Sequence, residues 1–192
     1  MTTIVDPQYE VLDNAGHKTG RLLSREAVHT QELWHEVVNI WILNDKGEVL
    51  LQLRAPEVEL CPNVWDVAVG THVHPGEDPV AAAQRGLQQE LGLGIAPDNL
   101  KHLFNIQAVN PMPDHMNHRV LGHIFILKQS VDLTKLRVDA NKITRLIWKP
   151  IPKVMAEIGN VETNKLYFPR AGEYYPRLFD ALLAEAPPEI AN

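Results

Sequence analysis

Residues 70–93 hold the side chains whose types and spacing carry the most chemistry: Gly-Thr-His-Val-His-Pro-Gly-Glu-Asp-Pro-Val-Ala-Ala-Ala-Gln-Arg-Gly-Leu-Gln-Gln-Glu-Leu-Gly-Leu. Asp78 can cap a helix, Pro79 suits its first position, and Gly92 with Gly94 ends it near Leu91. Spacings of three and four residues put Gly86, Gln89 and Glu90 on one helical face. Carboxylates on such a face suit hard divalent ions, which take oxygen ligands. Here Glu90 is its only carboxylate. Gln89 offers an amide oxygen without charge, and Gly86 offers no ligand while costing about 1 kcal/mol of helix stability relative to alanine. Tight packing of that turn against a neighbouring loop is the alternative reason for a glycine there. Upstream, alternation along Val64–Val73 puts His72 and His74 on one side of a strand. Downstream, Pro111–His123 carries His115, His118, His123 and Arg119 in a loop entering a strand. That loop reads either as a phosphate- or metal-contacting segment, with Arg119 as a forked phosphate partner, or as a solvated connection. Tyr167, Phe168, Tyr174 and Tyr175 suit either base stacking or packing of a C-terminal helix.

These residues need a scaffold of alternating strands and helices. Tyr9–Leu12 reads as a short strand turned by Asp13-Asn14-Ala15-Gly16, and Ser24 as the N-cap of a helical turn, Arg25–His29. Val37–Leu43 and Val49–Leu53 are apolar runs joined by Asn44-Asp45-Lys46-Gly47, a hairpin signal. Leu103–Val109, Val120–Lys128 and Leu146–Trp148 read as further strands. Helices are expected near Lys153–Ile158 and Ala171–Ala184, with residues 187–192 as a frayed tail.

At 192 residues, 45% hydrophobic and 22% charged, the chain has the size and composition of one soluble domain. A net charge of −6 argues against nonspecific binding to nucleic acid or anionic membranes. The single Cys61 suggests a reducing compartment. The N-terminus lacks a signal-peptide pattern and no run is long enough for a membrane helix. The expectation is a cytoplasmic protein, a monomer or homodimer, with a small-molecule partner.

The 70–93 segment resembles a Nudix box, the loop-helix-loop signature G-x5-E-x7-R-E-U-x-E-E-x-G-U, with U a bulky aliphatic residue. Glu77, Arg85, Leu87, Glu90, Gly92 and Leu93 match it at the right spacings. Gly86 and Gln89 replace two of its metal-binding glutamates, and Thr71 replaces the leading glycine, with Gly70 just before it. The resemblance implies an α+β Nudix fold, an α/β/α sandwich around a mixed, partly antiparallel sheet. The domain would cover residues 1–186, with 1–33 as an N-terminal extension packed on it. It also implies catalytic roles for Glu77, Arg85 and Glu90, and metal-dependent cleavage of a diphosphate linkage in a nucleoside diphosphate derivative or other organic diphosphate. Divalent metal would neutralise the phosphate oxygens and position water.

Most of the chain, from about residue 9 to residue 150, is also similar to a Nudix subfamily that includes isopentenyl-diphosphate isomerase. The matching words include Glu10-Val11-Leu12-Asp13, Ser24–His29, Leu33-Trp34-His35, Leu50–Arg54, Pro62–Asp66 and the Gly70/His72 pair. This resemblance implies a metal site of His29, His35, His72 and Glu90. Mg2+ or Mn2+ is the expected ion, with Zn2+ available if the histidines ligate. The same histidines serve as packing residues under the alternative reading. Arg54, Arg119 and His118 are the expected substrate contacts. The isomerase's cysteine position is Gly70 here, and its later glutamates have no counterpart in Asn117-His118-Arg119-Val120, where the nearest acid is Asp114. Three functions therefore stay open: hydrolase, non-catalytic binder and isomerase.

Overall fold

The computed structural model describes residues 7–113 and 116–190; Asp114 and His115 lie outside the described residues. The chain opens with an antiparallel pair, β1 (Gln8–Leu12) and β2 (Lys18–Ser24), followed by the short helix α1 (Arg25–Thr30). A seven-stranded mixed sheet follows. Its strands are β3 (His35–Leu43), β4 (Glu48–Arg54), β5 (Trp65–Val67), β6 (Val69–His72), β7 (Leu100–Pro111), β8 (Asn117–Lys128) and β9 (Ile143–Pro150). Among the described residues, the α-helices after α1 are α2 (Pro79–Leu91), α3 (Ile151–Gly159), α4 (Val161–Asn164) and α5 (Tyr174–Glu185).

The β-period explains the layers. Along β3, Val38, Ile40 and Ile42 face one side and pack with Ala82, Ala83, Leu87 and Leu91 of α2. Trp41 and Leu43 face the other and pack with Ile151, Val154 and Ile158 of α3 and Leu178, Phe179 and Leu182 of α5. The result is the expected α/β/α sandwich around a mixed sheet, with β3 parallel to β8 and antiparallel to its other neighbours.

One departure matters for the site. The run Val64–Val73 is not one strand but two, broken at Ala68. β3 and β4 pair at the single rung Leu43–Val49 and then separate. One extended strand cannot bond both, so the chain changes partner: Leu51–Leu53 of β4 pair with β5, and Val37–Ile40 of β3 pair with β6. The parting strands open a cleft. α5 also begins at Tyr174 rather than Ala171, because the Ala171 N–H is donated to Asn110 Oδ1 at 3.0 Å and Gly172 takes φ +65°. β2 escapes the hydrophobic pattern because most of its residues are exposed.

α2 is built as its sequence predicts. Asp78 accepts the N–H groups of Val80 and Ala81 at 2.9 and 3.1 Å, and Gly92, at φ 71°, closes the helix in the left-handed conformation that glycine adopts without strain.

Candidate metal centre and its cavity

Four histidines from four elements converge. His29 comes from α1, whose N-cap Ser24 accepts the Ala27 N–H at 3.2 Å. His35 opens β3, His72 ends β6, and His118 stands near the start of β8. Asn117, next to His118, is anchored by Glu32, whose carboxylate accepts its backbone N–H at 2.9 Å and its amide N–H at 3.1 Å. One ligand nitrogen from each ring lies within 4.8 Å of the others. The Nε2 atoms meet in pairs, His29 with His72 at 3.1 Å and His35 with His118 at 3.2 Å.

The electrostatics keep these rings neutral. Burial, helped by His35 and Arg25, pushes the His29 pKa down to about 3. Burial likewise takes His35 down to about 4, against a bond to the Leu33 carbonyl that favours its charged form. His72 and His118 are also held well below the usual histidine range, chiefly by burial and then by neighbouring imidazoles. Because the Leu33 carbonyl can only accept, the 2.9 Å contact puts the proton of His35 on Nδ1 and leaves Nε2 a lone pair.

This donor set fits a transition ion. Nitrogens sharing one ion at about 2.1 Å tetrahedrally stand roughly 3.4 Å apart, close to the observed pairs. His29 Nδ1 and His118 Nδ1 are buried without a hydrogen-bond partner among the described residues; Glu59 Oε1 stands 4.0 Å from the former. Imidazoles favour zinc and other late transition ions over magnesium.

The other wall is the face of α2, and it differs. Glu90, 2% exposed, accepts at Oε1 from Lys142 Nζ at 2.8 Å and is not in the histidine group. Burial raises its carboxyl pKa, with Lys142 opposing. Gln89 Oε1 accepts from Arg85 at 3.4 Å. At Gly86 an added Cβ would meet Thr71 Cγ2 at 2.9 Å and Val69 Cγ1 at 3.0 Å, so β6 packs where a side chain would start. Glu77 and Arg85 lock the turn: Arg85 donates to both Glu77 oxygens at 2.9 and 2.8 Å and to the His72 carbonyl at 2.8 Å. Burial would raise the Glu77 carboxyl, but Arg85 and the His74 N–H outweigh it and hold it below the ordinary value.

Between the two walls lies a cavity of about 550 Å³, which His72, His118, Glu90, Gly70 and Asp66 help to line. Arg25, Arg54, Arg85, Lys142 and Arg170 supply its cations. Arg54 is largely occupied, bonding the Leu60 and Cys61 carbonyls at 2.7–3.2 Å and Asp66 at 3.4 Å. Arg170 bonds the other Asp66 oxygen at 2.5 Å. Arg119 does not line the cavity; its guanidinium sits 5.8 Å above the Trp34 ring. His118, expected as a substrate contact, stands instead inside the histidine group. Tyr174 and Tyr175 serve the C-terminal packing, bonding Trp41 Nε1 and the Phe168 carbonyl. Sequence reasoning did not single out Lys142, Asp66, Arg170, Asn39 or Gln52; the match of Leu50–Arg54 and Pro62–Asp66 was the available signal for two of them.

Comparison with known proteins agrees with this architecture. The NUDIX domain family matches residues 33–170. Isopentenyl-diphosphate Delta-isomerase of Streptomyces avermitilis is 31% identical over 136 residues, covering 70% of this chain and 66% of that protein. Nudix hydrolase 3 of Arabidopsis thaliana is 31% identical over 102 residues, 53% of this chain but only 13% of that protein. Among solved structures, DR0079 from Deinococcus radiodurans superposes with a TM-score of 0.66 at 20% identity, covering 91% of this chain and 96% of that one. The NUDIX domain of Shewanella oneidensis NrtR, complexed with ADP ribose, superposes at 0.54 with 12% identity, over 78% of this chain and 86% of that one. The structural likenesses establish the shared fold, and the family match places this chain in the NUDIX domain family.

Proposed function

We propose that this chain is a metal-dependent hydrolase of an organic diphosphate, with its ion held by His29, His35, His72 and His118 rather than by the carboxylates of α2. The convergence of four neutral imidazoles, two buried and two half-buried, at the edge of a cavity supplied with cations carries this reading. An ion bound there would neutralise phosphoryl oxygens and polarise the reacting water. The protein's own residues do the rest. Arg25, Lys142 and Arg170 draw the anionic substrate into the cavity. Arg85 fixes both the box turn and the strand bearing His72. Glu90, with its proton affinity raised by burial, lines the same cavity and suits accepting a proton from water. The substrate is a nucleoside diphosphate derivative or a comparable small diphosphate.

The direct test incubates the purified chain, loaded in turn with Zn2+, Mn2+ and Mg2+, with a panel of organic diphosphates. Phosphate or nucleotide release that depends on a transition ion supports the reading, and no release from any member overturns it. Gly86 favours a second reading, a protein that binds diphosphates without cleaving them, because β6 leaves no room for the family glutamate there. In that case the panel shows affinity without turnover. The isomerase reading is weaker on geometry: Gly70 places no proton-moving side chain at the cavity.

A further inference from the structure

Two amides in the cavity are left without work inside the protein. Asn39, on β3, is 6% exposed, and Gln52, on β4, is 3% exposed; both line the cavity where these strands part. Among the described residues, neither side-chain amide has a hydrogen-bond partner, and neither is sealed from solvent, so both open onto the cavity with their donors and acceptors uncommitted. Gly70 contributes to this. A Cβ there would sit 3.5 Å from Asn39 Oδ1 in ordinary contact, so the glycine is not demanded by packing and leaves that amide uncovered. Arg170 differs from these two: its Nε is sealed from solvent with no partner, while another nitrogen of the same guanidinium holds Asp66.

We infer that Asn39 and Gln52 are specificity-determining residues, recognising a neutral group of the substrate that both donates and accepts hydrogen bonds: hydroxyls, an amide or the edge of a base. The inference rests on reading the cavity as a diphosphate site and concerns what the diphosphate is attached to. An apolar tail, such as an isoprenyl chain, would strand both amides away from water. A site built to hydrogen-bond its ligand rejects an analogue lacking the matching group far more strongly than an apolar pocket rejects an extra methylene. The cavity therefore selects against hydrocarbon diphosphates, even though the chain aligns with an enzyme named for one.

The test measures affinity, separately from turnover, by calorimetry on the full chain. The probes are inorganic pyrophosphate, ADP, ADP-ribose and isopentenyl diphosphate, each against wild type, Asn39→Leu and Gln52→Leu. Wild type should bind ADP or ADP-ribose at least about tenfold tighter than isopentenyl diphosphate. Each leucine variant should weaken the tighter of these by about tenfold and leave pyrophosphate within about twofold. The melting temperature should hold or rise, because these amides bond nothing in the protein; a structural role would lower it. Should leucine destabilise the fold, Asn39→Ser and Gln52→Thr carry the same expectation. Unchanged affinities, an equal loss of pyrophosphate, tighter binding of isopentenyl diphosphate, or no binding of any probe would each overturn the inference. The expected binding pattern without hydrolysis sinks the hydrolase reading and leaves this one. Hydrolysis that ignores the attached group does the reverse.

Discussion

The two walls of the cavity offer their polar groups in opposite ways. The α2 wall keeps the shape of the NUDIX box while its ligands are gone or engaged: Gly86 is filled by β6, Gln89 leans on Arg85, and Glu90 is paired with Lys142. The opposite wall has no local motif at all, since its four histidines come from separate elements, yet its ligand atoms lie within 4.8 Å of one another. Motif and site have come apart. The helix serves as a clamp, and Arg85 joins it to the strand that carries His72, donating to the His72 carbonyl at 2.8 Å and to Thr71 Oγ1 at 3.3 Å.

The largest expected effect separates the walls. His118→Ala should lower transition-metal affinity by more than about a hundredfold, beyond what loss of a supporting group costs, and abolish turnover. Glu90→Gln should keep the metal and reduce turnover by roughly a hundredfold or more. Metal content and initial rates, measured side by side on both variants, check this. If Glu90→Gln also sheds the ion, the division between walls is wrong.

Arg85→Ala tests the bond between them. Removing it loosens the end of the His72 strand and leaves Glu77 with only the His74 N–H, so metal affinity should fall by about tenfold through positioning alone. A variant that keeps wild-type affinity would make the clamp irrelevant to the site.

Acid acts on the histidine wall first. The folded-state pKa values of His29 and His35, about 3 and about 4, lie below the unfolded value of about 6.5. The unfolded chain thus takes up more protons, so this contribution to stability is fully present above about pH 6.5 and is lost as pH falls toward about 3. Metal-free protein should melt roughly several degrees lower at pH 5 than at pH 7.5, and His35→Asn should flatten that dependence.

The smallest effect concerns Gly86. Alanine gains about 1 kcal/mol of helix propensity, but its Cβ collides with β-branched Thr71 and Val69, which cannot swing aside without moving β6. Overpacking costs roughly 1–3 kcal/mol, so Gly86→Ala should be net destabilising by about 1 kcal/mol in urea unfolding. A stabilised variant would show that this glycine is not a packing residue.

What could be read in advance follows from the range of each interaction. The caps of α2, the β3–β4 hairpin and the layer pattern are local, and the residues themselves display them. The packing at Gly86 was legible as one of two alternatives. His29, His35 and His72 were accessible only through family resemblance. The place of His118 was hidden because alternation assigns a strand residue to a face but not to a partner strand. The parallel pairing of β3 with β8 joins His35 to a residue 83 positions away. Lys142, just before β9, meets Glu90 of α2 across 52 positions, another contact made only by the tertiary fold. The cleft itself depends on β3 and β4 parting after one rung, and the apolar run Val64–Val73 does not announce the break at Ala68.

Metal analysis of the full chain, purified without added metal and then titrated with Zn2+, Mn2+ and Mg2+, bears most directly on the four-histidine centre. The geometry predicts one transition ion per chain, held far more tightly than magnesium and lost in His118→Ala. Protein that takes up no transition ion, or that keeps one after His29 and His118 are both replaced by alanine, would contradict it.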